Sequence, residues 1–200
     1  ELFKILDLKN FININESENL KELFSLIFPE FKNLQRLDRL KKICNLTQIK
    51  RDILLAALLI DENSNHEYFA HKYNISNKIR ESLNVLARDL KLFKNDKDFS
   101  TKDLEKNIYL SNKNHLINLN ILNFVIHTNY MLNSFSEMIK KILQSKTHTF
   151  PVDGKYLLQN GMKESSTLGK VLKIIEDEWI NSGFKISNNR VKEIIKSNFS

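Results

Sequence analysis

His66-Glu67 and His71 place two imidazoles and a carboxylate within six residues, a donor set of the kind that holds zinc. Two histidines five apart on a helix stand about 140° from each other, whereas the H-E-x-x-H zinc helix needs a four-residue step. The spacing therefore predicts a solvated helix face and no metal. Close carboxylates recur at Asp96 with Asp98, at Asp103 with Glu105, and in Glu176-Asp177-Glu178. Two-metal nucleotidyl transfer needs carboxylates fixed together on a rigid element, so that both ions meet the reacting phosphates. A break loop and a helix surface do not supply that. The last run follows Lys170 and Lys173, where i,i+3 and i,i+4 pairing accounts for it. No serine or cysteine is flanked as an activated nucleophile, and no Gly-rich phosphate loop precedes Gly154. Cys44, the single cysteine, reads as a small buried apolar side chain between Ile43 and Leu46. One cysteine excludes a disulfide framework and points to a reducing, cytoplasmic compartment.

Binding is the chemistry left. The chain carries 31 lysines and arginines against 24 carboxylates, a net charge of +7, and this mildly favours a polyanionic partner. Two basic sets stand out. One comprises Lys155, Lys163, Lys170, Lys173, Lys185 and Arg190. Ser165, Ser166 and Thr167 fall among them as cap residues of a helix whose first unpaired N–H groups form an anion site. The other comprises Arg36, Arg39, Lys41, Lys42, Lys50 and Arg51. Such cations neutralise backbone phosphates, giving affinity without base reading and a strong salt dependence. Taken singly, each lysine is more often a solvated surface charge.

The elements that must position these groups are helices. Only four glycines and two prolines occur in 200 residues, and β-branched alternation is sparse, so the composition predicts an all-α protein with no sheet. No apolar run approaches the roughly 18 residues of a membrane span. Ser17 is expected to cap a helix over Glu18–Phe28 with Leu20, Leu23, Phe24 and Ile27 inward, ended by Pro29. A helix over Asn33–Ile43 follows. Thr47 is the expected cap for Gln48–Ile60, the most apolar helix and the predicted centre of the core. A helix through Tyr73 comes next, then a long one from Ser76 carrying Ile79, Leu83, Leu86, Leu90 and Phe93. Ser100 or Thr101 is expected to cap Asp103–Leu110, and Leu116–Ile126 and Met131–Leu143 continue the stack.

All four glycines (Gly154, Gly161, Gly169, Gly183) lie in 150–184, with Pro151. Asp153 suits the cap of a short helix over Lys155–Gln159, and Gly161 fits just past its end. Leu168, Val171, Leu172, Ile175 and Trp179 recur at three- and four-residue steps, with Lys170, Lys173 and Asp177 on the opposite face. Ser182-Gly183 closes that helix, and a final one runs from Ser187 to Lys196.

Pro151-Val152-Asp153-Gly154, Leu157-Leu158, Gly161, Leu168-Gly169, Leu172 and Trp179-Ile180-x-x-Gly183-Phe184 resemble the C-terminal tail of the class II tRNA nucleotidyltransferases and bacterial poly(A) polymerases. Two positions depart from that pattern. Tyr156 stands where the family carries an acidic residue, and Ser165 where it carries a loop glycine. The resemblance covers about 35 residues closely and the helical region upstream loosely. It implies a division into the end of a neck helix at 1–10, a helical body at 11–145 and a helical tail at 146–200.

It further implies that body and tail grip RNA, most often tRNA, by its backbone shape. Shape reading suits A-form RNA, whose major groove is too narrow for side chains. The family's catalytic head carries a G-S turn with a D-x-D carboxylate pair after it; no G-S turn occurs here, and the one D-x-D, Asp96-Lys97-Asp98, falls in a break loop with no such turn ahead of it, so this chain is expected to be inactive alone. The parent enzyme would add nucleotides from ATP or CTP with Mg²⁺, by CCA or poly(A) addition; the fragment itself would need no cofactor. Expected partners are RNA and the protein's own head and neck, with no membrane and no DNA. The rival expectation, without an enzymatic parent, is a helical adaptor that binds RNA nonspecifically or scaffolds a protein.

Overall fold

The computed structural model describes residues 14–95, 103–162 and 166–197. The expected neck helix, the Ser100 and Thr101 caps, Asp96, Asp98, Lys163 and Ser165 lie outside those residues. Within them the chain is all-α: eleven α-helices and one 3-10 turn (Ile14–Glu16), with no strand among the described residues. Two compact units divide between Ser145 and Lys146.

The first unit holds α1 (Glu18–Ile27), α2 (Arg36–Ile43), α3 (Arg51–Leu59), α4 (Asn65–Lys72), α5 (Asn77–Asn95), α6 (Leu104–Ser111), α7 (Lys113–Ile126) and α8 (Leu132–Gln144). Helix α3 is its centre, since every residue from Ile53 to Ile60 is buried. A helix apolar all round is stable only when surrounded, and α2, α5 and α7 supply the surroundings through Leu37, Leu40, Leu83, Leu86, Leu119 and Leu122. Burying side chains of this size stabilises by about 1.5–3 kcal/mol each.

Helix α3 begins later than expected. Thr47 does not cap it, because the Thr47 N–H donates to the Ile43 carbonyl and so belongs to the last turn of α2. The chain then runs extended through Lys50 before α3 starts at Arg51.

Helix α1 departs more. Ser17 caps it through the Leu20 N–H, as its type predicts, yet no residue of α1 is buried. Leu20, Leu23 and Ile27 are exposed, and Leu26 is 80% exposed; only Phe24 packs against the core. Periodicity specifies that one face is apolar, while burial also needs a neighbour to meet it.

Helix α4 corrects the reading of its histidines. His66 shares the inward face with Asn65, Phe69 and Ala70 and is 5% exposed, while Glu67 and His71 face solvent. The His66 Nδ1 atom makes no hydrogen bond to a described residue. Burial holds its pKa below the ordinary imidazole value, with Glu67 and Asp61 opposing and Lys91 assisting. Cys44 is only half-buried, its thiol donating to the Lys41 carbonyl.

The second unit holds α9 (Gly154–Gln159), α10 (Ser166–Asn181) and α11 (Asn188–Ser197) around Val152, Leu157, Met162, Val171, Ile175, Val191, Ile194 and Ile195. Trp179, buried, is ringed by Phe150 at 5.4 Å, Phe184 at 4.9 Å and His148 at 6.3 Å between ring centroids. Two of its helices begin as their sequence predicts, whereas α10 runs from Ser166, so Ser166 and Thr167 stand within the helix and do not cap it. Asp153 accepts the Tyr156 N–H at 2.8 Å, and Ser187 accepts the Arg190 N–H at 3.2 Å.

Past α9 the Met162 N–H reaches back to the Leu157 carbonyl across Gly161, whose φ is +98°. Past α10 the Phe184 N–H reaches the Trp179 carbonyl across Gly183, φ +72°. Both closures are Schellman motifs, which need the left-handed backbone that glycine adopts without strain.

Candidate nucleic-acid interface

The structure separates the two basic sets by what their charges already touch. In the first unit, Arg36 and Arg39 stand one turn apart on α2, and each reaches the carbonyl end of another helix. Arg36 Nη1 donates to the Ala57 and Ile60 carbonyls at 2.8 Å each, closing α3, and Asn33 adds a bond to the Leu58 carbonyl. Arg39 donates from Nε to the Phe124 carbonyl at 2.7 Å, and from Nη2 to those of Tyr130 at 2.8 Å and His127 at 3.2 Å. It also lies 4.2 Å over the Phe124 ring.

The last four carbonyls of a helix lack internal partners and carry a partial negative charge. A guanidinium with its planar fork of donors answers both. These two arginines therefore serve the architecture, with most of the Arg39 donors turned inward. Lys41 pairs with Glu16, whereas Lys42, Lys50 and Arg51 are exposed with no ion pair among the described residues.

In the second unit, Lys173 pairs with Glu176 and Asp177 at 3.0 Å each. Arg190 forms a fork on Glu178 at 2.6 and 3.0 Å and reaches Glu193 at 3.1 Å. Hydrogen bonding to Glu178 raises the Arg190 pKa, and the same bond holds the Glu178 carboxyl below its usual range. Lys155, Lys170 and Lys185 are exposed and carry no ion pair among the described residues. The acidic run of α10 is thus occupied by two cations, and the other three are left facing solvent.

The start of α10 gathers part of this set. A Cβ built on Gly154 would lie 3.4 Å from Leu168 Cδ2, which places the first turns of α9 and α10 against each other, and Lys155 follows Gly154 in the first of them. Thr167, Gly169 and Lys170 are exposed there. Gly169 has no packing duty, since a Cβ at that position would meet nothing within 4 Å. Glycine inside a helix costs about 1 kcal/mol relative to alanine, so this residue weakens the helix with no compensating contact among the described residues. The opening turns of α10 consequently offer the open backbone of Gly169 next to exposed Lys170, a surface that a phosphate-bearing backbone can approach closely.

Sequence reasoning missed the exposed stripe of α1 and the cavity described below, because both depend on neighbours that no local pattern names. No family model, no curated protein and no solved structure matches this chain.

Proposed function

We propose that this chain is an RNA-holding element, the body and tail of a nucleotidyltransferase resembling the CCA-adding enzymes and bacterial poly(A) polymerases. The observation that carries the proposal is the exposed opening of α10: unpacked Gly169 and Lys170 with no ion pair among the described residues, against the first turn of α9 that carries Lys155. The motif resemblance over 150–184 supports it, and that segment folds with its own core. On this reading the grip is made to phosphates and backbone shape, and the RNA, tRNA foremost, is presented to a catalytic head. Nucleotidyl transfer from ATP or CTP with Mg²⁺ belongs to the proposed parent protein. Among the described residues no cluster of histidine, cysteine and carboxylates would hold an ion, so no catalytic step is assigned to this chain.

The test is titration of the full chain into a fluorescent tRNA at several salt concentrations. Binding should weaken steeply with salt, with a log–log slope reduced by about one for each phosphate contact removed. The double variant Lys155→Glu, Lys170→Glu should lose tenfold or more in affinity and fold as the parent does. Binding unmoved by both salt and charge reversal would sink the proposal.

A protein-scaffolding role is the second reading, favoured by the stripe of Leu20, Leu23, Leu26 and Ile27 that α1 leaves uncovered.

A further inference from the structure

The first unit contains a cavity of about 330 Å³ that none of the functional reading uses. It opens where the ends of α3 and α7 meet the middle of α5, with Arg36 of α2 in its wall. Its floor is apolar, formed by Ile60, Ala87, Leu90 and Ile126. The polar groups are few and of both signs: Arg36, Asp61 and Lys91 line it beside Glu62 and His127. Small-molecule sites run from about 300 to 1,000 Å³, and combine an apolar lining with a few placed polar groups. This cavity sits at the lower limit, large enough for a single flat ring system.

Two of the lining groups hold unused hydrogen-bonding capacity. Arg36 spends only Nη1 on the Ala57 and Ile60 carbonyls. Its Nε and Nη2 donors make no hydrogen bond to a described residue, although the side chain is half-buried. Burial lowers the Arg36 pKa against the opposing charge of Asp61. Asp61 uses Oδ1 to accept the N–H groups of Asn63 and Asn65 at 2.9 and 3.1 Å, which fixes its carboxylate in place. Its Oδ2 accepts nothing from a described residue. Arg36 with two uncommitted donors and Asp61 with one uncommitted acceptor line the same cavity as the apolar side chains, the combination that hydrogen-bond readout requires.

We infer that this cavity receives a nucleobase, guanine by preference. Guanine presents O6 and N7 as paired acceptors, the edge that an arginine fork reads. Next to O6 lie the N1–H and amino donors, which a carboxylate oxygen accepts. Adenine and uracil lack that acceptor pair beside a double donor. The flat ring would lie on Ile60, Leu90 and Ile126, leaving Lys91 at the mouth for an attached phosphate. The base could come from an unpaired RNA nucleotide or from a free mononucleotide, which share this edge. The inference stands on the cavity and not on the phosphate grip of the second unit.

The full chain is titrated with guanosine, adenosine, cytidine and uridine monophosphates up to millimolar concentration, followed by calorimetry and amide NMR shifts. Guanosine monophosphate should bind at least tenfold more tightly than the adenosine and uridine forms, with the largest shifts at Asp61, Leu90 and Lys91. Asp61→Asn keeps the Oδ1 acceptor that holds Asn63 and Asn65 but turns the other atom into a donor. It should cost guanosine monophosphate tenfold or more with the unfolding midpoint unchanged. Ala87→Met, which fills the floor, should remove binding of all four.

A hairpin RNA with one unpaired guanine, compared with its adenine counterpart, separates the sources. A guanine preference that disappears in Asp61→Asn assigns an RNA base; preference confined to the mononucleotide assigns a free nucleotide. Equal affinity for all four nucleotides and both hairpins, no binding of mononucleotides together with no guanine preference in the hairpins, or indifference to Asp61→Asn would each overturn the inference. RNA binding that responds to Lys155 and Lys170 while no mononucleotide binds and neither hairpin is preferred leaves the phosphate grip standing and removes this site alone.

Discussion

The two units use the same side-chain chemistry in opposite ways. In the first, Arg36 and Arg39 turn inward to the carbonyl ends of α3 and α7. In the second, Arg190 and Lys173 stay at the surface in ion pairs, and Lys155, Lys170 and Lys185 face solvent. Residues 146–200 carry nine lysines and arginines against six carboxylates. That count resembles the proportions elsewhere in the chain, so charge density does not separate the units. What separates them is whether a helix end stands within reach of the cation. A charge that completes a helix is expensive to remove, and a charge that faces water costs nothing to remove until a ligand arrives.

The largest effect expected from this contrast is at Arg39. Arg39→Met keeps the length of the side chain and leaves the Phe124, His127 and Tyr130 carbonyls without their donors. Bonds to charged groups contribute about 1.5–3 kcal/mol, so the body should lose about 3 kcal/mol, read by urea unfolding followed by circular dichroism. Trp179, the only tryptophan, lies in the second unit, and its fluorescence midpoint should not move. A stability unchanged by Arg39→Met would show that the caps are not what places these arginines.

Next in size, Gly169→Ala should stabilise the tail by about 1 kcal/mol, the difference in helix propensity, read by Trp179 fluorescence. The added methyl stands where the RNA backbone is proposed to approach, so tRNA affinity should fall. Stability and affinity rising together would break the link between the bare helix turn and binding.

Acid separates the units by a different route. The His66 pKa is lowered in the folded chain, so below about 6.5 the unfolded chain binds more protons at this group. This group's contribution to the stability of the body should therefore fall as pH drops through that range and recover above it. In His66→Leu the loss between pH 7.5 and 5.5 should shrink; a loss of equal size would assign it to another group. At the alkaline end burial pushes the Tyr130 phenol up to about 12, where it donates to Asn120 at 2.8 Å. Its folded value lies above the unfolded one, so stability should decline between about pH 10 and 12, and Tyr130→Phe should flatten that decline.

The smallest effect is at the surface pair. Glu178→Gln keeps the shape of the Arg190 contact and removes the charge, and exposed pairs of this kind contribute little. The Trp179 midpoint should stay within measurement error. A clear drop would mean that the tail, like the body, depends on an arginine tie.

Much of the second unit was legible from local chemistry. Asp153, Ser187, Gly161 and Gly183 each answer a need of the two or three residues beside them, and such needs are visible in a short window. The caps of the first unit were less legible. Ser17 follows type, but Asn112, which accepts the His115 N–H at 2.9 Å, is hidden inside a run of polar residues. Thr47 misled because its own backbone was already committed to α2. Among the candidate contacts, residue type found cations but did not distinguish Arg39, which closes a helix 85 residues away in sequence, from Lys170, which has no ion pair among the described residues.

The sequence by itself determined that the chain is helical, where most helices begin and end, and which face of each is apolar. Those properties arise from interactions within four or five residues, so they are written into spacing and type. Tertiary structure alone decided that α3 is surrounded, that the stripe of α1 is not, and that His66 turns inward. It also decided that Arg36 and Arg39 close distant helices, and that Arg36 lines a cavity. Each of these depends on which distant atoms arrive at a surface already specified, and a side chain's electrostatic role is set by the neighbours it meets and the water it loses.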